Sequence, residues 1–216
     1  MKEVGHHHLK AMKVNLKSNS ENQMNYLAHI YLAQPTADSY FGNLLGDFGG
    51  RIHAKTLSKS VNNGLENHYL VDKYTDSHCL VKQAKGMFSP QRRRFSGIAV
   101  DVLFDHFLIR HWDKFSAMPF SQFKENSYYL LNQSITRMPI KMQKVVSHLT
   151  TNDWFESYKS IEGIGLALDN IAKRIRFTNQ FTNSLEDINK HYLELEQLFL
   201  VFFPQLISHI TKRNLE

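Results

Sequence analysis

His68, Asp72 and Asp76 follow one another at i, i+4 and i+8, so a helix points an imidazole and two carboxylates into one space. At about 100° per residue, the stretch around Leu65 to Cys79 divides into three faces. Leu70, Val71, Tyr74 and Val81 make an apolar stripe, and Glu66, Lys73 and Ser77 make a wet one. The third face carries Leu65, His68, Asp72, Thr75, Asp76 and Cys79, with no Lys, Arg or Glu among them. Short ligand-type groups in a row suit a metal or phosphate site. The plainer alternative pairs Asp72 with Lys73 or another basic neighbour.

A second segment adds groups of the same kind. Gly97 to Trp112 is apolar nearly all round, the pattern of a helix buried on every side, yet it contains Asp101 and Asp105 four apart, with His106 beside them. Ionised carboxylates in such a setting are strongly penalised unless paired or bound to a cation. Arg92 or Arg94 could pair with them structurally, but with the His68 row there are more acids than local arginines comfortably match. Asp47 adds another, because it ends a short helix, where the macrodipole disfavours a carboxylate. It calls for a nearby cation, which a metal or Arg51 would provide. His29, on an otherwise apolar helix, reads by itself as a core histidine.

The elements that must position these groups are all helices. One runs from Asn25 to the stop at Pro35, and a second from Ala37 to Asp47, closed by Gly49-Gly50. A long central helix is expected from about Ser58 to Lys85, with Gly64 a possible break. Further amphipathic helices are expected at Ser121–Ser134, Met138–Leu149, Ile161–Arg176 and Ser184–Ile210, the last begun by a Ser184 cap and interrupted at Pro204. No alternating strand run, hairpin dipeptide or repeat is evident, nor a Walker loop, nucleophile elbow or Cys-x-x-Cys pair. The expected fold is an all-α, single-domain helical bundle.

Size and composition agree with that picture. The 216 residues suit one sizeable core, and 42% hydrophobic with 21% charged residues is a globular balance. No apolar run reaches the roughly 18–20 residues of a membrane span. The lone Cys79 excludes an internal disulfide, fits a reducing compartment and reads as a small buried hydrophobe. Residues 1–23, polar and carrying His6-His7-His8, read as a flexible, tag-like leader ahead of the domain at 24–216. Twenty-six basic against 20 acidic side chains give +6, which favours an acidic or phosphorylated partner. The arginines 92–94 form one short cluster without an interleaved aromatic platform, which argues against nucleic acid. Arg174 and Arg176 read as surface charge.

Four segments together resemble the bacterial acyl carrier protein phosphodiesterase family. They are Met24-Asn25-Tyr26-Leu27-Ala28-His29, Gly42-Asn43-Leu44-Leu45-Gly46-Asp47-Phe48, His68-x-x-x-Asp72-x-x-Thr75-Asp76, and Asp101-Val102-x-x-Asp105-His106-Phe107-Leu108-x-x-His111-Trp112. Arg92-Arg93 and the stretch from His191-Tyr192 to Pro204 are also similar, so the likeness runs from Met24 to about Arg213. The resemblance implies a distant branch of the HD-type metal phosphohydrolases, with an HD-domain-like bundle. It implies hydrolysis of the phosphodiester joining 4′-phosphopantetheine to a serine of holo-acyl carrier protein. Mn²⁺ is the implied cofactor, and a cytoplasmic place in fatty acid and lipid metabolism the implied setting. The chain departs from HD enzymes in lacking an adjacent His-Asp dipeptide; it has Asp105-His106 in reverse order.

Within that reading, His68, Asp72 and Asp105 are the leading ligand candidates, followed by His29 and Asp47. Asp76 or Asp101 would orient the attacking water, and His106 joins them as a candidate catalytic residue. Arg92 and Arg93 would hold the phosphate or an acidic carrier protein. Two other readings use the same residues: a helical phosphohydrolase acting on a nucleotide or other small phosphodiester, and a non-enzymatic binding module whose His and Asp groups are structural ion pairs.

Overall fold

The structure, a computed structural model, describes residues 26–50, 56–175 and 179–216. The leader 1–23, Met24, Asn25, Arg51 and Arg176 lie outside the described residues. What is described is all-α, as the sequence patterns require, and its buried apolar side chains form one core.

Helix α1, Tyr26–Tyr31, is short, and five of its six residues are buried. Helix α2, Ala37–Leu45, is capped by Thr36, whose hydroxyl accepts from Ser39 N, and it runs on through a 3₁₀ turn at Gly46–Phe48. Gly49 ends that turn at φ 80°, the left-handed conformation that glycine adopts without strain. Helix α3, Lys59–Ser77, starts at a Ser58 cap and packs closely across α2. Gly64 lies inside it and does not break it. A Cβ at Gly42 would lie 2.2 Å from Val61 O, and one at Gly64 would lie 2.6 Å from Ser39 O, so the two glycines let the helix backbones touch.

The expected Ser58–Lys85 helix divides instead at His78, which is extended (ψ 135°) and begins α4, Cys79–Gly86. His78 caps the new helix through Nδ1, which accepts from Leu80 N, while Nε2 meets Gln205 at 3.2 Å. Cys79, expected to be buried, is exposed at this corner. Helix α5, Ser96–Arg110, is buried at twelve of its fifteen residues, as its unbroken apolar sequence requires.

Helices α6, Trp112–Phe115, α7, Phe120–Ser134, α8, Ile140–Thr151, α9, Trp154–Ser157, and α10, Ile161–Arg174, follow around it. The last expected helix is two: α11, Leu185–Lys190, and α12, Tyr192–Arg213, divided at His191. Ser184 does not cap α11 with its side chain; its hydroxyl donates to Phe181 O. Pro204 does not interrupt α12. It stands on the exposed side, where water can take the carbonyl left without an N–H donor. The inner face of α12 packs Phe199, Phe202 and Phe203 against Phe104 and Phe107 of α5 and Phe115 of α6.

Candidate metal centre

His29 of α1 and His68 of α3 stack ring against ring with centroids 4.2 Å apart. Asp72, one turn beyond His68, reaches both. Its Oδ1 lies 3.2 Å from His29 Nε2 and its Oδ2 lies 3.1 Å from His68 Nε2. One ligand atom from each residue falls within 4.8 Å of the others, close enough for three ligands to share an ion. Asp47, in the turn after α2, adjoins them with Oδ1 4.0 Å from His68 Nε2.

His68 is fixed from behind. Its Nδ1–H donates to Asn43 O at 2.7 Å, so the neutral ring offers the Nε2 lone pair to the cluster. Asn43 is tied in turn: its Nδ2 donates to Ser39 O and to the Glu216 carboxylate, and its Oδ1 accepts from Asn67. Gly46 completes the seat from the other side. A Cβ there would lie 2.0 Å from His68 Cδ2, so the ring occupies the space a side chain would take. Gly46 has ordinary helical φ and ψ, and the position needs room rather than backbone freedom. Sequence reasoning assigned Asn43 and Gly46 no role. They stood in a motif carrying the family resemblance, but no spacing rule ties them to His68.

Two features show that the cluster lacks positive charge. His29 is fully buried with its Nδ1 unpartnered and its Nε2 meeting the Asp72 carboxylate at 3.2 Å outside hydrogen-bond geometry, and Asp47 Oδ2 has no partner either. The proton affinities agree. Burial pushes Asp47 up to about 7, with Asp72 adding to the rise and His68 opposing it. Burial and the charges of Asp72, Asp76 and Asp47 push Asp101 up to about 8 against the pull of Lys85. Burial, together with His68, lowers the pKa of His29. Burial acts the same way on His68, but the hydrogen bond and charge of Asp72, with Asp47, outweigh it and raise its pKa. The two histidines hold Asp72 ionised far below the usual carboxylate range despite its burial. Imidazole and carboxylate donors crowded in a dry site, with donor atoms left unpartnered, fit a divalent cation. The Asp72 side chain, 24% exposed against 0% for His29, 2% for His68 and 5% for Asp47, marks the side open to solvent.

The other sequence candidates lie elsewhere. Both Asp105 oxygens accept main-chain N–H bonds from Leu27 and Ala28, at 3.1 and 2.9 Å, so Asp105 anchors the start of α1 with both oxygens already engaged. Burial raises its pKa against the pull of those two amides. Asp76 is mostly exposed and pairs with Lys85 at 2.8 Å. His106 faces away, with Nδ1 donating to Tyr158 O and Nε2 2.8 Å from the Tyr192 hydroxyl. Arg92 pairs with Glu186 and Asp187, and Arg93 donates to Gly86 O and Phe88 O, so neither answers the buried acids of α5. Asp101 is buried and electrostatically coupled to Asp47 and Asp72. A cavity of about 470 Å³ lies between Tyr31, Gln34, Met118, Ile210 and Glu216, with none of the cluster's own residues in its lining.

Residues 24–206, which hold every member of this cluster, match the family described as acyl carrier protein phosphodiesterase. The chain belongs to that family. Among relatives carrying the same description, one from Yersinia enterocolitica is 35% identical over 195 residues, spanning 89% of this chain and all of the relative. One from Enterobacter sp. (strain 638) is 32% identical over 193 residues, and one from Yersinia pestis 34% identical over 195, each with the same coverage. No solved structure matches. No helix among the described residues is long and apolar enough to cross a membrane.

Proposed function

We propose that this chain is a metal-dependent phosphodiesterase that acts on holo-acyl carrier protein, releasing 4′-phosphopantetheine and leaving the carrier serine free. Membership of the family supports the substrate, and the convergence of His29, His68 and Asp72 supports the metal dependence. The single observation that carries the chemistry is His29: an imidazole fully buried in the cluster, with Nδ1 unpartnered and Nε2 set 3.2 Å from the Asp72 carboxylate.

His29, His68 and Asp72 would hold a divalent cation such as Mn²⁺, with Asp47 beside them. The bound ion would supply charge neutralisation for the phosphodiester and a lowered pKa for the attacking water. The residues themselves do the rest. The Asn43 carbonyl holds the Nδ1 proton of His68 and keeps Nε2 free for the cation. Burial of His29 keeps its ring neutral and able to ligate. In the hydrolysis, a water gives up a proton to solvent and its oxygen bonds to phosphorus as the bond to the serine oxygen breaks, and the serine oxygen gains a proton in its place. Asp101, a buried acid whose pKa burial and its acidic neighbours raise in the metal-free protein, is the carboxyl group coupled to the cluster and suited to supply one. The surplus of six positive charges favours encounter with an acidic carrier protein, to which the exposed Arg93 would add.

The test is release of the prosthetic group from holo-acyl carrier protein, read by intact mass. Asp72→Asn lowers turnover by more than the roughly 10- to 100-fold typical of residues that merely support ligands. Undiminished release by that variant, or by the wild-type protein in excess chelator, rejects the proposal.

A further inference from the structure

Thr75 stands on α3 three residues after Asp72 and seven after His68, which puts it within about 20° of the His68 direction around the helix. It is 7% exposed, and its Oγ1 makes no hydrogen bond. A hydroxyl inside a helix normally donates to a carbonyl three or four residues back. Others in this molecule do so: Ser127 donates to Phe123 O at 2.7 Å and Ser77 to Tyr74 O at 3.0 Å. Thr75 leaves that option unused. Its turn of α3 is electrostatically coupled to α5, where Asp101 senses the charges of Asp72 and Asp76 on either side of Thr75.

We infer that Thr75 is a substrate-contacting residue, whose Oγ1–H donates to a non-bridging oxygen of the phosphodiester lying against the His29, His68 and Asp72 cluster. The inference rests on the phosphodiesterase reading above and adds a group to its site. Asp72 and Asp76 flank Thr75 along α3, both act electrostatically on the buried Asp101, and Lys85 is held by Asp76. An anionic phosphodiester entering there needs donors. A dry, unpartnered hydroxyl already in place offers one without reorganisation.

The competing role is packing, in which the Thr75 methyl fills space and the hydroxyl is a tolerated defect. Thr75→Val separates the two, because valine keeps the shape and removes only the unpaired hydroxyl. A packing role leaves the variant as stable as wild type or more so, with full phosphate affinity. The substrate role gives the same or higher thermal stability but about 10- to 100-fold weaker binding of inorganic phosphate to the Mn²⁺-loaded protein and a similar fall in kcat on holo-acyl carrier protein, as expected for losing one hydrogen bond to an anion. Thr75→Ser keeps the hydroxyl and retains most of both. Mn²⁺ affinity stays unchanged in both variants; a parallel loss of Mn²⁺ would make Thr75 a support for the ion and overturn the inference. Wild-type phosphate affinity in Thr75→Val overturns it as well. If the wild-type protein releases no prosthetic group, the substrate reading fails by itself, and the phosphate affinities alone decide on Thr75.

Discussion

Asp101 on α5 senses the charge of Asp72 on α3, yet their protons behave oppositely. Two histidines hold Asp72 ionised, whereas Asp101 has only Lys85 to offset its burial and its acidic neighbours. The folded metal-free protein therefore keeps a proton on Asp101 that the unfolded chain has already released between about pH 4 and 8. Stability falls as pH rises through that window and levels off above it. Asp72 acts in the other direction: its contribution is present above the ordinary carboxylate pKa and is lost as pH falls below it. Asp101→Asn, a permanent mimic of the neutral acid, should remove the Asp101 share of the upper slope and leave the shares of the buried Asp47 and Asp105. In chelator, urea unfolding should show the variant gaining on wild type by a few kcal/mol between about pH 5 and 8, at about 1.4 kcal/mol per pKa unit. Parallel pH profiles would contradict this. Sequence spacing was enough to align His68 with Asp72, since i and i+4 share a face wherever the helix lies. It gave no way to tell Asp101 from Asp105, two acids on one face of one helix. What separates them is that the start of α1, more than seventy residues earlier, brings its amides to Asp105 alone.

That contact makes α1 an element whose position depends on a side chain from another helix. At six residues it is too short to persist alone, and His29 reaches the cluster only while α1 is docked. Asp105→Ala would leave two buried N–H groups without acceptors and should cost at least about 2 kcal/mol in unfolding free energy. The folded fraction should still bind Mn²⁺. Loss of the ion at unchanged stability would instead make Asp105 a ligand. Gly46 gives the converse case. Gly46→Ala drives a methyl group into the His68 ring, and because His68 is held by Asn43 O the ring cannot turn aside without breaking that bond. Mn²⁺ affinity should fall by at least about 10-fold, the lower range for disturbing a ligand's support. Equal affinity would show that the ring has room to move. Element existence was legible from apolar periodicity, but the divisions at His78 and His191 were not. Neither site carries Pro or Gly, and at His78 a side-chain cap and a contact with Gln205 of α12 mark the break. Pro204 misled for the opposite reason, since a proline facing water costs a helix less than one facing the core.

Across the whole molecule, the cluster joins parts of the chain that are otherwise linked through the core: α1 through His29, α3 through His68 and Asp72, and the turn after α2 through Asp47. An ion seated there binds the folded chain and not the unfolded one, so it must stabilise the fold by mass action, by about 2.7 kcal/mol at 100 times its Kd. For a chain of this size that corresponds to a rise in Tm of roughly 5–10 °C. Because the raised pKa of His68 lets protons compete for Nε2, the rise should be largest above that pKa and should shrink as pH falls through it. Binding should then release protons, seen as a dependence of calorimetric heat on buffer ionisation enthalpy. Three consecutive histidines can bind a divalent cation by themselves, so the comparison uses a chain with His6, His7 and His8 replaced by alanine. In that background, Mn²⁺ should raise Tm, chelator should reverse the rise, and Asp72→Asn should abolish it. A Tm indifferent to Mn²⁺ at every pH would mean that the histidines and acids neutralise one another without an ion, and that the unpartnered Nδ1 of His29 is a cost the core absorbs.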